Sequence, residues 1–506
     1  MKAIGKGVAR ILLSVKNVNM TYGRNMATSI SGYMPNTDNF GLDYNYQYLD
    51  NNDNLSQGPG MAPGLPFIVG WNSSIWNPTD VGSPRTLNQF ATAGWISRDQ
   101  NLATPYSQNW SEQFTARTSV TLFKDFKVDL NVTKNHSRDF SELFRFDEFS
   151  SDFRHENQLM NGQYSISYIF FGTSFEANVA QSDAFLELQD NARRLVSQRL
   201  AAANPNYASF ASRAGLAPSD LITSDLYAQG YYRNSQEVLL PAFRAAYGPG
   251  KAGKVSLSAF PAIPLPNWTI NYNGLSRIPA FKELFKSVTV RHSYQGTYNV
   301  GGFTSNSRFN GDPTSGFGDD FFGSSIDPLS QDSLYNIRSQ YVIPQVGLTE
   351  RFSPLAGINI NFKSGISASV DLRMDRNISL SVGNTQLTER RSKDFKISLS
   401  YRKDKLNKTL QLFGRALNLE NSLNSRIEVS LRDTKTRNRK LDFNGNADFT
   451  AGNFSLIVKP SIDYVVNSKL NIRFYIEHTR NKPAISTSFP SSYTAVGFQV
   501  RFTLSN

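Results

Sequence analysis

The sequence predicts an all-β fold, an antiparallel transmembrane β-barrel, and three observations carry that reading. Apolar and polar residues alternate with period two along most of the chain. The closing segment is the clearest case: Val496, Phe498, Val500, Phe502 and Leu504 share one face, and Gly497, Gln499, Arg501 and Thr503 the other. No run of about 18 apolar residues occurs, so no helix is available to cross a bilayer, and a spanning chain must satisfy its backbone between strands. Aromatic residues make up 12% of the 506, with 36 Phe and 22 Tyr, which suits the girdles of a membrane barrel. One such strand also fits a soluble sheet with a single wet face. The recurrence of the pattern favours lipid.

The elements follow in order. Residues 8–22 read as one or two strands, with a bulge or turn near Asn17 where the apolar phase shifts between Ile11, Leu13, Val15 and Val18, Met20, Tyr22. Residues 35–110 are rich in Asn, Gly, Pro, Ser and Trp and read as a long loop with at most short strands. A hairpin spans 112–133, its arms Phe114 to Leu122 and Phe126 to Val132 meeting at Lys124-Asp125. A strand is expected at 163–171. Residues 183–203 place Phe185, Leu188, Ala192, Leu195, Val196 and Leu200 at helical spacing, and Pro205 stops the helix. A second short helix is expected at 236–247. Pro261, Pro264 and Pro266 demand an extended run outside any sheet centre. Strands resume at 287–300, a Gly, Asp and Ser-rich loop covers 301–340, and hairpins fill the rest. The chain thus divides into barrel strands with a long loop (1–175), a helical and extended insertion in the lumen or at a rim (176–286), and C-terminal barrel hairpins (287–506).

Composition narrows the chemistry. There are no cysteines, which excludes disulfides, thiolate metal sites and cysteine nucleophiles. The net charge is +12, but Lys and Arg are spread along the strands, so a basic lumen or solvated face is preferred and no nucleic acid partner is expected. His136, His155, His292 and His478 are far apart and fit no metal spacing. Asp371 and Asp375 share a strand face with Arg373, which reads as local ion pairing rather than acid–base work. Trp71, Trp76, Trp95 and Trp110 either anchor an interface or pack loops, with packing favoured. No catalytic, metal or cofactor residues are expected, and the chain is not read as an enzyme. Met1 to Val15 lacks an apolar segment with a small-residue cleavage site, so either the chain is not exported or a signal lies upstream.

Two segments are unusual. One is Gln236 to Tyr247, QEVLLPAFRAAY. The other is Phe260 to Trp268, FPAIPLPNW, followed by Tyr272-Asn273-Gly274-Leu275. Through Leu240, Pro241, Phe243, Tyr247, Pro261, Pro264, Pro266 and Trp268 they resemble the C-terminal part of the SprA/Sov family, the outer-membrane translocons of the type IX secretion system in Bacteroidetes. Strand stretches such as Arg351-Phe352-Ser353-Pro354-Leu355 and Gln386-Leu387-Thr388-Glu389 fit as well. The resemblance covers nearly the whole chain. It implies a portion of a very large barrel in the bacterial outer membrane, which exports proteins bearing a C-terminal sorting signal and on which gliding motility depends. It also implies as partners outer-membrane lipid, a smaller outer-membrane shuttle barrel and a periplasmic plug. Family members are several times longer and carry a signal peptide. Two rivals stand beside it: a self-contained porin or receptor closing its own barrel of roughly 14 to 16 strands, and an outer-membrane hydrolase with a polar rim cluster.

Overall fold

The computed structural model describes residues 15–49, 55–57, 62–63, 85–176, 182–213, 215, 217, 221–223, 225–306, 331, 335–406, 408–412, 415–419, 421–443, 449–467, 469–485 and 488–503. Leu504, Trp71, Trp76 and most of the 301–340 loop lie outside them.

Alternation of apolar and polar residues produces strands throughout. They are Val15–Ser29 (β1), Gln47–Leu49 (β2), Leu55–Gln57 (β3), Tyr106–Phe123 (β4), Phe126–Asp147 (β5), Asp152–Ser167 (β6), Asn267–Tyr272 (β7), Phe285–Ser305 (β8) and Tyr341–Phe362 (β9). There follow Ile366–Ser381 (β10), Gln386–Lys403 (β11), Lys408–Leu412 (β12), Arg415–Leu419 (β13), Leu423–Lys440 (β14), Phe449–Val465 (β15), Leu470–Pro483 (β16) and Ser491–Phe502 (β17). Thirteen of them form one sheet in the order β1-β4-β5-β6-β8-β9-β10-β11-β14-β15-β16-β17, with β7 between β5 and β8. Every registered pair is antiparallel, as in an up-and-down barrel wall. The sheet does not close among the described residues: β1 pairs only with β4, and β17 only with β16.

β6 and β7 are two halves of one stave. β6 pairs with β5 from Asp147 down to Lys134, and β7 takes over from Asn131 to Phe126. Residues 168–266 leave the wall at this break and return to it. They carry short helices Asp183–Glu187 (α2), Arg193–Ala203 (α3), Tyr207–Arg213 (α4) and Gln236–Tyr247 (α5), with a π turn at Leu188–Ala192 between α2 and α3. Expected helices at 183–203 and 236–247 are therefore present. The insertion is shorter than 176–286, because β7 belongs to the sheet and β8 starts at Phe285; between them lies Pro279–Leu284 (α6). Among the described residues the loop at 35–110 also holds an unanticipated helix, Arg85–Thr92 (α1), and β4 already begins at Tyr106. The strand expected at 163–171 runs instead from Asp152 to Ser167.

The two ends of the sheet differ. Tight connections such as Lys124-Asp125 and Lys363–Gly365 lie at one end, where Asp125 (φ 67°) and Gly365 (φ 85°) take the left-handed conformation the turns need. The long segments 30–105 and 306–340 lie at the other, together with the short turns 148–151 and 382–385, while 404–422, with β12 and β13, extends from the first end. β5 and β9 each have 22 residues, about twice the 9–11 that a tilted strand needs to cross hydrocarbon.

Candidate functional site: a two-faced wall with a docked insertion

The wall has an apolar belt on one face near the tight-turn end. Register makes it continuous. Val290, Ile358, Val370, Ile397, Val429 and Val458 are successive partners across six strands. Ile462, Phe474 and Phe498 carry it to the β17 edge, and Val120, Val128 and Ile270 carry it toward β4. Many of these side chains face outward without cover: Ile397 is 41% exposed, Ile427 42% and Phe498 66%. From Ile366 to Leu372 the belt is about 20 Å tall at strand rise, close to the apolar band of a membrane barrel. An aromatic row borders it at the turn end. Phe123 and Phe126 stack at 4.6 Å, Phe126 meets Tyr272 at 6.1 Å, and Phe285 meets Phe362 at 4.9 Å.

The opposite face is polar along the strands and laced with ion pairs. Asp371 takes Arg291 at 2.9 Å and Arg373 at 3.2 Å, and Asp375 takes Arg351 at 3.0 Å. Lys396 and Arg426 share Glu428 at 2.6 and 3.1 Å, Arg432 reaches Asp394 at 3.1 Å, and Lys459 reaches Glu477 at 2.8 Å. These pairs join seven cations to five carboxylates, a mixed-charge surface with a cationic excess.

Above the belt, on the belt's own face, the insertion docks. α5 buries every residue from Val238 to Tyr247. Leu240, Phe243 and Tyr247 join Tyr164 and Ile166 of β6, Tyr298 of β8, Leu348 of β9, Leu380 of β10 and Leu387 of β11 in one core. Pro241 removes a helical hydrogen bond, so packing holds this helix. Arg244, fully buried, donates from Nη2 to the carbonyls of Ser256 (2.9 Å) and Ser258 and lies 5.5 Å over the Tyr298 ring. This ties α5 to the segment leading into Pro261. The Tyr164 hydroxyl donates to the Pro261 carbonyl. Pro261 is buried and Pro264 and Pro266 half-buried, and Trp268 stacks on Tyr294 at 4.4 Å. The structure therefore brings both unusual segments together as scaffold, with α5 packed on the wall. Burial pushes the Glu237 carboxyl up, with the Ser339 hydrogen bond opposing it, and pushes the Tyr231 and Tyr247 phenols up.

A strip of buried charge lies between belt and insertion. Arg376 meets Glu350 at 3.0 Å, both side chains 2% exposed, and donates from Nη1 to the Thr173 carbonyl at 2.7 Å. The Ser174 hydroxyl donates to Glu350 at 2.7 Å. Next to it, Arg391 and Arg439 both engage Glu389. Beside this strip opens a cavity of about 320 Å³ lined by Phe175, Lys393, Lys435, Arg437 and Phe449 among others.

The histidines do not converge. His155 is held through both ring nitrogens, by Glu142 (2.8 Å) and Asn88 (3.1 Å), which pins α1 to the β5–β6 hairpin. His292 contacts the Leu355 carbonyl at 2.6 Å and His478 the Thr494 hydroxyl at 2.8 Å. No cluster able to hold a metal occurs among the described residues. Trp95 packs in a core with Phe90, Phe140 and Phe144, and Trp110 meets the His136 ring edge-on at 5.1 Å.

No family model and no curated protein matches the chain. Among solved structures it is similar to OmpT, an outer membrane protein of Vibrio cholerae, in its trimer form. That match has 8% identity, covers 96% of this chain and 98% of that one, and has a TM-score of 0.20. It is similar to OmpF of Salmonella typhi in complex with daunomycin at 8% identity, covering 78% and 91%, with a TM-score of 0.13. OprB of Pseudomonas putida at low pH gives 9% identity, 79% and 86%, and a TM-score of 0.13. At TM-scores this low, the fold rests on strand order and register rather than on these likenesses.

Proposed function

We propose that this chain is part of the wall of a bacterial outer-membrane protein-conducting channel, the C-terminal part of a type IX secretion translocon. The observation that supports this most is the two-faced wall left open at both edges: apolar belt behind, ion-paired polar surface in front, and β1 and β17 each unpaired on one side among the described residues. An unpaired edge in lipid costs several kcal/mol per backbone group, so the reading requires further strands to complete the barrel. The belt meets lipid and the polar face lines a wide wet lumen. Cargo with a C-terminal sorting signal passes through without covalent chemistry, and gliding motility depends on that export where present. A smaller outer-membrane barrel and a periplasmic plug are the partners in this reading.

The test is the size and location of the native product, detected in fractionated cells with an antibody to residues 493–506. A band several times larger than 56.6 kDa in the outer membrane is expected. A band at 56.6 kDa there would replace this reading with a self-contained porin or receptor.

A further inference from the structure

We propose that the cavity between belt and insertion is a docking site for an acidic lipid of the outer leaflet. Acyl chains lie on the belt, and a phosphate-bearing headgroup enters the cation cleft above it. This rests on the membrane reading of the preceding section.

The argument starts from register. The top of the belt is the row Leu372, Phe395, Leu431, Leu456. One step up, the same face reads Met374, Lys393, Asp433, Phe454, Lys482, and the next step reads Arg376, Arg391, Lys435, Gly452. The transition from hydrocarbon-compatible side chains to cations therefore occurs within two residues, on the face that carries the belt. It lies toward the long-connection end, which in outer-membrane barrels is the cell exterior.

The cleft is built as well as charged. Phe175, 51% exposed, overhangs it from the insertion and meets Phe352 at 5.5 Å. Arg437 lies 4.1 Å and Lys435 5.3 Å over the Phe449 ring. At Gly452 a Cβ would lie 2.7 Å from Ala484 Cβ and 3.5 Å from Lys435 Cγ, so the wall is closely packed beside Lys435. Of the lining carboxylates, Glu389 is engaged by Arg391 and Arg439, Asp433 by Lys435 at 2.9 Å, and Glu176 accepts from the Ala184 N–H at 3.1 Å. Four cations, Arg391, Lys393, Lys435 and Arg437, line the cavity against those three carboxylates, and Arg439 also engages Glu389. Lys393 has no ion-pair partner among the described residues. An anion that is tethered to apolar chains satisfies both halves of this surface, whereas a free anion uses only one.

The test uses the purified full-length protein reconstituted in vesicles of phosphatidylcholine with one-fifth phosphatidylglycerol as the acidic probe, followed by extraction of tightly held lipid. Enrichment of the acidic lipid is expected, with a loss of roughly fivefold per lysine in Lys393→Gln/Lys435→Gln. The control Lys396→Gln/Lys459→Gln removes the same charge from the polar face and should retain enrichment. Equal enrichment in the two variants would overturn the site, as would its abolition by inorganic phosphate at equal concentration, which would make it a free-anion site. A protein that associates with no vesicle of either composition fails earlier and removes the membrane reading itself. Native folding of each variant is checked by exchange protection of β11 and β14.

Discussion

Gly296 and Asn267 hold the broken stave together. The Gly296 N–H donates to Asn267 Oδ1 at 2.8 Å, while its carbonyl accepts from Tyr168 N at 2.9 Å. One residue of β8 thus bonds both lips of the break from which residues 168–266 depart. A Cβ at Gly296 would lie 2.0 Å from the Tyr168 carbonyl oxygen, a backbone atom that cannot swing aside.

Gly296→Ala is therefore expected to destabilise the wall by about 1–3 kcal/mol through overpacking. It should also raise hydrogen exchange at Tyr168 and in β7. Gly301→Ala, with nothing within 4 Å of the added carbon, serves as the comparison. Equal stability of the two variants in denaturant titrations would remove the role given to Gly296.

The buried pair Glu350–Arg376 anchors the first turn of the insertion to β9 and β10. Removing one partner leaves an uncompensated charge, so Glu350→Gln or Arg376→Met should each cost about 3–5 kcal/mol. Replacing both should cost less than the sum of the two, because the pair's desolvation penalty goes with it. A double-mutant cycle in denaturant measures the coupling, and strict additivity would show that the pair acts independently.

Adjacent residues in β11 test the two faces. Ile397→Arg puts a charge near the middle of the belt and should cost about 2–4 kcal/mol of folding into bilayers. Lys396→Gln, one residue back, changes only the polar face, where Arg426 still engages Glu428, and should cost under about 1 kcal/mol. Folding yield into vesicles reads the difference. A reversed order would mean the belt faces away from lipid.

How much of this was legible in the sequence depended on the range of the interaction. The Lys124-Asp125 hairpin and the helical spacing of Phe185 to Leu200 are local, and both were readable. β7 was not. Its six residues follow three prolines, and its partners Phe126–Asn131 and Val290–Tyr294 are set by distant strands, so from sequence it reads as part of the insertion. α1 was hidden because eight residues inside a Pro, Gly and Trp-rich stretch give too short a period. From sequence the insertion reads as lying in the lumen or at a rim, and its own periodicity does not choose between them. It lies at the long-connection end on the belt's own face, because Tyr298, Leu348 and Leu380 continue the belt's alternation upward. Period two names a face but not what covers it. The unusual residues Leu240, Phe243 and Tyr247 were recognisable in sequence, and their role as buried scaffold was not.

Glu237 gives the insertion a pH dependence. It sits in the first turn of α5, where desolvation raises its carboxyl above the ordinary range. The folded chain holds that proton to higher pH than the unfolded chain. Its contribution is then complete below the ordinary carboxylate range and is lost as pH rises through the raised value. Exchange protection of α5 should fall over that interval, and Glu237→Gln should flatten the profile. An unchanged slope in the variant would assign the dependence to another group.

The open edges separate the two channel readings. With β6 and β7 as one stave, the 13 strands make 12, an even number. β1 and β17 run in opposite directions, so their pairing would be antiparallel and closure is topologically permitted. The absence of cysteine makes any introduced pair unique. Asn25→Cys on the polar face of β1 can be combined in turn with cysteine at Tyr493, Ala495, Gly497, Gln499 and Arg501 on the polar face of β17, and probed in membranes with a short bifunctional maleimide. Asn25→Cys with Ser111→Cys, direct partners across β1 and β4, shows that the reagent reaches the site. If further strands complete the barrel, only that control cross-links within one chain. An intramolecular link at any of the five positions would mean that β17 closes on β1, making the chain a complete small barrel, too narrow for folded cargo and suited to solutes.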